Sequence, residues 1–321
     1  MKRRYKKILM WSGIAIVCLV IIGGGYAWYL YHSAKQEVAK MYEEIARPVY
    51  VSKDPKMKPS PKPADLKNND PFTVLLLGVD QRENDKGRSD TMIVLSVNPN
   101  NKSILMFNIP RDTRTDIVGH DTVDKINHAY AFGDVEMSIQ TVEQFLDYPI
   151  DYYMKVNMEG FERLIDLIGG VKVDNPYSFN MQGHEFAKGR LSLNGSDALL
   201  YSRMRYDDPR GDLGRNARQR ELLQEMMRSS LNLSNITRVR SLLNEMGDSI
   251  KTNITFEDMK TFMSEYRPGI GQIDTIEIKG KAQTINGIWY YIVNDDERSR
   301  IHNVLKDHLQ TKEMNPAVAS K

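Results

Sequence analysis

The chain has 321 residues and a formal net charge of +2, long enough for one large domain or two small ones with a full core. Its first five basic residues, Lys2, Arg3, Arg4, Lys6 and Lys7, leave about −3 for the remainder, which argues against a nucleic-acid binder held by counterion release from phosphates. Cys18 is the only cysteine, so no disulfide framework exists and stability must come from packing.

Residues 8–31 contain no charged side chain, a run long enough to cross a bilayer as a helix. Trp11 near one end and Tyr26, Trp28, Tyr29 and Tyr31 near the other suit the two interfaces. The exit is aromatic rather than small-x-small, which predicts an uncleaved signal anchor. The basic cluster before it places residues 1–7 in the cytoplasm and everything after 31 outside. An exported, cysteine-free chain fits a bacterial envelope protein. The Asn-x-Ser/Thr matches at Asn194, Asn232 and Asn235 are then chance.

Residues 32–47 have helical spacing and continue the anchor outward. Pro55, Pro59, Pro61 and Pro63 stand among lysines in 48–70, which reads as a stiff, solvated spacer. The folded domain is expected over 71–310, with a flexible tail at 311–321. Three apolar runs, 72–79, 91–97 and 103–109, read as strands. Their short connections force antiparallel neighbours, because a parallel crossover needs a dozen or more residues. If the three are adjacent, Asp80, Asp90 and Arg111 share one edge of the sheet. Asp80 or Asp90 alone is as well explained by a strand-end role; the pair with Arg111 is more specific.

Further on, the spacing predicts helices at 128–132, 135–146 and 160–168, and strands at 150–156 and 171–174. A polar loop runs to Leu193, and a helix starts at Asn194-Gly195-Ser196. Helices at 213–231, 236–250, 256–266 and 295–309 and strands at 273–278 and 287–293 complete a single α/β domain with a mixed sheet.

The stretch from Tyr201 to Arg220 holds six arginines, no lysine and three aspartates. Guanidinium forks match phosphate oxygens two at a time, although a charge run is more often a solvated face. Arg203 and Arg205 share a face only in extended chain, so the helix before them should end near Tyr201. Arg215, Arg218, Gln219 and Leu222 form a stripe on the next helix. Arg210, Arg218 and Arg220 read as rim or structural. HExxH, CxxC, GxxxxGK[ST] and GxSxG are absent, and His128 and His184 suit surface or packing roles better than ligation. Asp80 and Asp90 would suit Mg²⁺, which takes further oxygens from phosphates. With Arg111, Arg203, Arg205, Arg215 and Gln219 they would make a diphosphate site. An outward-facing protein meets few nucleotides, so a polyprenyl diphosphate is the expected substrate. Phe132, Phe145, Phe161, Leu164 and Met226 are candidates for lining a tunnel for its tail, though plain core explains most of them. The general base is open among Asp80, Asp90, Asp207, Asp208 and Asp212.

The segments LLLGVDQR, GRSDTMIVLSV, NIPRDT, DKINHAYAFG and YSRMRYDDPRGDLGRNARQR, in this order behind a single anchor, resemble the LytR-CpsA-Psr proteins of bacterial envelopes. The resemblance spans about residues 72–228. It implies an α/β/α domain that transfers a glycopolymer phosphate from a polyprenyl-diphosphate carrier to peptidoglycan, at the C6 hydroxyl of N-acetylmuramic acid. The family's metal aspartates fall on Asp80 and Asp90, its phosphate-binding arginines on Arg111, Arg203, Arg205 and Arg215, and its glutamine on Gln219. The overall look is that of wall-teichoic-acid transferases of Gram-positive rods, with membrane lipid and peptidoglycan as partners and no nucleic acid. Some members carry a further arginine shortly after PRDT; Arg114 or Thr115 occupies that region here. Two other readings use the same residues: a lipid-diphosphate pyrophosphatase, and a non-enzymatic, membrane-tethered lipid-binding regulator.

Overall fold

The computed structural model describes residues 2–45, 48–55, 66–80, 86–229, 249–266 and 271–310. Most of the expected helix at 236–250, residues 56–65 of the 48–70 spacer, part of the 81–89 segment and the 311–321 tail lie outside them.

Strands β1 (Phe72–Val79), β2 (Ser89–Asn98) and β3 (Ser103–Asn108) form an antiparallel meander. The hairpin β4 (Arg114–Ile117) and β5 (Thr122–Lys125) follows, then α2 (His128–Leu146), which comes after the N-terminal helix α1 (Lys2–Met41). Next come β6 (Tyr152–Asn157), α3 (Met158–Leu167), β7 (Val171–Asn175), β8 (Phe179–Met181), β9 (His184–Phe186) and β10 (Gly189–Leu193). The chain continues through α4 (Gly195–Arg203), α5 (Asp212–Ser229), β11 (Ile250–Thr252) and α6 (Phe256–Thr261), which passes into a π-turn at Phe262–Tyr266. It closes with β12 (Gln272–Thr275), β13 (Lys281–Ile285), β14 (Ile288–Ile292) and α7 (Asp295–Gln310).

The central sheet has the order β11-β6-β1-β2-β3-β12. β1 pairs β6 in parallel and β2 antiparallel, so the sheet is mixed as expected. Because β1 is covered on both faces, it reads as a near-continuous apolar run. Leu75, Leu77 and Val79 pack with Val135, Ile139 and Val142 of α2 and Ile301 and Leu305 of α7. On the other face, Phe72 and Val74 of β1 join Ile93, Leu95, Ile104 and Tyr152, flanked by Leu223, Met227 and Phe262. A third cluster, with Val171, Val173, Phe179, Phe186, Tyr201 and Leu222, ties the β7–β10 strands to α4 and α5.

Several details differ from the sequence reading or refine it. The polar loop before Leu193 contains β8, β9 and β10, whose runs of three to five residues are too short to show a period. It is anchored by Phe179 stacked on Phe186 at 4.8 Å. The hairpin strand β13 was not expected; its side chains are exposed, apart from the half-buried Ile285, and carry no apolar alternation. Helices 128–132 and 135–146 form one element broken by non-helical Gly133 and Asp134, so two segments were correctly separated there. The beginning of the expected spacer is not free of the domain: Tyr50 Oη and the Lys53 N–H donate to Asp147 at 2.8 and 2.9 Å, and Lys306 bridges Asp54. Leu66 is buried as well.

The helix α1 covers the uncharged run without interruption. Among the described residues, no helix is long and apolar enough to cross a membrane.

Candidate diphosphate and lipid site

The edge expected from the meander exists. Backbone N–H groups of Asp80 and Asp90 both donate to the Arg88 carbonyl, at 3.2 and 3.0 Å. The register shifts between Gly78 and Val79, where β1 meets the start of β2. A Cβ on Gly78 would lie 2.9 Å from the Thr91 Cβ, so only glycine allows this approach. Arg111, three residues past β3, places Nη1 2.8 Å from Asp90 Oδ1. Asn127 donates Nδ2 to the same oxygen at 3.3 Å, and its own N–H to the Arg111 carbonyl at 3.3 Å. Arg203 Nη2 stands 3.9 Å from Asp80 Oδ1.

The arginine stretch divides into two groups. Arg203 is the last residue of α4, two residues beyond the expected helix end, and Met204 leaves in extended conformation. Arg203 lines the cavity described below, whereas Arg205 does not and lies over the Tyr206 ring at 4.8 Å. Arg205 still acts on the site through its charge. Burial, together with the nearby Arg111 and Arg205 charges, pulls the Arg215 guanidinium below its ordinary pKa, against Asp212 and Asp90. Arg215 is 7% exposed, and its Nε and Nη2 make no hydrogen bond although Asp212 Oδ1 lies 2.7 Å from Nη2. Arg111 Nε is likewise buried without a hydrogen bond. Burial opposes the charge on Arg111, but the Asp90 and Asp112 carboxylates prevail and raise its pKa. Buried donors left this way cost free energy unless an acceptor arrives.

The second group is locked into the protein. Arg218 bridges Asp208 at 2.7 Å and donates to the Met204 carbonyl and the Tyr177 hydroxyl. The Asp208 carboxylate it holds sits where a Gly214 side chain would be, 1.9 Å from an added Cβ. That arrangement removes Asp208 from the candidate bases. Arg210 and Arg220 both reach Glu277, at 2.5 and 2.7 Å.

Between the sheet and helices α3, α4, α5 and α6 lies a cavity of about 630 Å³. Phe72, Val74, Leu76 and Gly78 of β1 and Asp80 just past it line the cavity with the two-residue period of a strand, and towards Asp80 the intervening Leu77 and Val79 contribute as well. Asp80, Asp90, Arg203, Arg215 and Gln219 contribute to the lining, and the remaining wall is almost entirely apolar. On α5 the lining stripe is Arg215, Gln219, Leu223, Met226 and Met227. The expected members Arg218 and Leu222 instead turn into the protein, with Leu222 in the third core cluster. Of the five tunnel candidates, Phe161, Leu164 and Met226 line the cavity. Phe145 belongs to the opposite face of the sheet, and Phe132 is exposed, stacked on His120 at 3.8 Å.

His128 pairs with Asp124 and His184 with Asp197, each away from the cavity. Among the described residues, no group of three or more His, Cys, Asp or Glu is placed to hold a metal ion. Two carboxylates at one edge suit a hard cation that keeps waters and takes phosphate oxygens, not a closed protein cage. Asn108 and Asn127 touch site residues, Gln219 and Asp90, and Glu277 holds Arg210 and Arg220 behind them; none of the three was singled out from the sequence. The only signal for the two asparagines was their place inside NIPRDT and DKINHAYAFG.

A family model described as "LytR_cpsA_psr family" matches residues 28–307. The chain is 43% identical over 310 residues to the Bacillus subtilis protein named polyisoprenyl-teichoic acid–peptidoglycan teichoic acid transferase TagU, covering 96% of this chain and 98% of that one. The crystal structure of B. subtilis TagU aligns with a TM-score of 0.62 at 42% identity, covering 76% of this chain and 99% of the other. A structure of TagT bound to LIIa-WTA aligns with a TM-score of 0.68 at 28% identity, covering 84% and 100%. By a match over most of its length, the chain belongs to the LytR_cpsA_psr family.

Proposed function

We propose that the protein transfers an anionic glycopolymer with its phosphate, wall teichoic acid by the names of its relatives, from a polyprenyl-diphosphate carrier to peptidoglycan. The supporting observation is the continuity of an apolar cavity with buried guanidinium donors that make no hydrogen bond. A polyprenyl diphosphate has the same two halves.

In this reading the tail occupies the space between β1, α5 and α6, and Arg111, Arg203, Arg205 and Arg215 neutralise the diphosphate. Asp80 and Asp90 would hold Mg²⁺, and Arg111 and Asn127, which both engage Asp90 Oδ1, would orient the Asp90 carboxylate for it. When bound, Mg²⁺ supplies charge neutralisation to the diphosphate oxygens. The acceptor hydroxyl, at C6 of N-acetylmuramic acid, attacks the phosphorus nearest the polymer. Its bond to the bridging oxygen breaks, and polyprenyl phosphate leaves with that electron pair. The hydroxyl proton passes to a carboxylate, Asp80 or Asp90 at the edge or Asp207 or Asp212 in the arginine stretch. The arginines stabilise the charge that develops on the leaving phosphate.

We also assign residues 8–31 to a membrane anchor, with the domain on the outer face of the cell membrane. Support comes from the unbroken helix over an uncharged run and from Trp11, Ile21, Ile22 and Trp28, each at least 65% exposed on it.

The test is incubation of the full chain, in detergent, with a polyprenyl-diphosphate-linked glycan, peptidoglycan oligomers and Mg²⁺. Glycan linked to peptidoglycan through phosphate is expected. Free glycan phosphate alone would instead establish hydrolysis, and no turnover with retained lipid binding would establish a regulator.

A further inference from the structure

The Gln219 side chain lines the cavity beside Arg215, and a glutamine can present either a donor or an acceptor to a ligand. Oxygen and nitrogen of an amide are assigned from their partners, so the partners decide. Gln219 Oε1 is 3.1 Å from Asn108 Nδ2, and Asn108 Oδ1 is 3.0 Å from Arg220 Nη1. Arg220 in turn donates Nη2 to Glu277 Oε1 at 2.7 Å. Asn108 is 3% exposed and Arg220 7%.

A guanidinium has donors only. Arg220 therefore forces Asn108 to face it with oxygen, which turns the Asn108 NH2 towards Gln219. Gln219 must then face Asn108 with its oxygen, which leaves its NH2 for the cavity. The ionised Glu277, whose pKa is held down by Arg210 and Arg220 against burial, anchors the far end of this chain of bonds. Each link admits one polarity.

We propose that Asn108, Arg220 and Glu277 are positioning residues that fix the Gln219 amide as a donor towards a bound diphosphate. The proposal rests on the diphosphate reading above and goes beyond it by assigning a task to three side chains outside the cavity. It also explains why Arg220, which points away from the cavity, is an arginine: a neutral side chain that could both donate and accept would let the whole chain of amides reverse.

The experiment measures binding of two probes, farnesyl diphosphate with Mg²⁺ and farnesol, to the full chain in detergent. Asn108→Asp keeps the shape and the Arg220 contact but cannot donate to Gln219. Asn108→Ser is neutral and too short to reach it. Both variants are expected to weaken farnesyl diphosphate binding about tenfold to a hundredfold, the range for a lost hydrogen bond to a charged group, while farnesol binding changes less than about twofold. In a Gln219→Ala background the same substitutions should cost less than about twofold, because the group they orient is gone. Equal losses for both probes, or equal losses with and without Gln219, would show a merely structural role and overturn the proposal. If the unaltered chain binds farnesyl diphosphate no more tightly than farnesol, the diphosphate reading fails and takes this inference with it.

Discussion

Arg215 and Arg218 lie three residues apart on α5 and are 7% and 4% exposed, yet their surroundings are opposite. Both terminal nitrogens of Arg218 are engaged, by Asp208, the Met204 carbonyl and the Tyr177 hydroxyl. Arg215 has one close carboxylate, Asp212, with no hydrogen bond at Nη2 or Nε, and two neighbouring positive charges. Arg218 Nε is without a hydrogen bond too, so the two differ at their terminal nitrogens: a buried charge whose terminal donors are filled holds a fold together. One whose donors are spare is kept at a cost to the fold, and the compensation arrives with an anionic ligand. Burial alone does not separate them; the inventory of partners does.

The largest effect that could break this contrast is on stability. Arg218→Ala leaves Asp208 buried without its partner and should destabilise the chain by about 3–5 kcal/mol, read from denaturant unfolding. A loss below about 1 kcal/mol would mean that Asp208 finds water and that Arg218 is not structural. Arg215→Gln should do the reverse. Transfer activity is expected to fall about 100- to 1000-fold, the range for removing a preorganised donor from a developing oxyanion. Its unfolding free energy should change by less than about 1 kcal/mol. Equal damage to stability from both variants would erase the distinction.

One turn further along, Leu222 and Leu223 repeat the comparison in apolar side chains. Leu222 is 1% exposed within the cluster of Val171, Val173 and Tyr201, whereas Leu223 faces the cavity. Leu222→Ala should cost about 2–5 kcal/mol, since it opens a void in a closed core. Leu223→Ala enlarges a space that already exists and should cost about 1 kcal/mol less, or smaller still, while weakening lipid binding. If the two cost the same, that wall of the cavity is as tightly packed as the core.

These neighbours also show how far the sequence could be read. The meander and its edge were legible, because short connections permit only one pairing and a two-residue period fixes which β1 side chains share the face that ends at Asp80. The separation at Gly133 and Asp134 was legible too, since apolar spacing breaks there. The division of α5 was not. Helical spacing put Arg218 and Leu222 on the site stripe, but the lining follows Arg215, Gln219 and Leu223. Which of two adjacent stripes faces a cavity depends on how the helix rolls against β7 and α4, and that is set by Asp208 and Tyr177, remote in local pattern. Asn108 and Glu277 were invisible for the same reason: they act through Gln219 and Arg220, from the end of β3 and from the segment after β12, whose positions only the fold supplies.

The smallest effect follows acid. Burial raises the Asp208 pKa, but hydrogen bonds from Tyr177, the Arg210 N–H and Arg218, with the Arg218 charge, bring it below the ordinary carboxylate value. A carboxylate depressed in the folded state binds protons more readily when unfolded. Its stabilising contribution is thus complete above its unfolded pKa near 3.8 and is lost as pH falls through the folded value. Each tenfold difference in proton affinity between the two states is worth about 1.4 kcal/mol. Denaturant midpoints measured between pH 6 and pH 2.5 should therefore hold steady at first and then drop below about pH 4. The drop should be shallower in Asp208→Asn, which starts less stable but has no proton to take up there. An Arg215→Gln chain should keep the unaltered slope, because it leaves Asp208 and its bridge to Arg218 untouched. If Arg215→Gln flattened the acid limb as much as Asp208→Asn does, the two arginines would be holding the fold in the same way, and the assignment of one to structure and the other to ligand would fall.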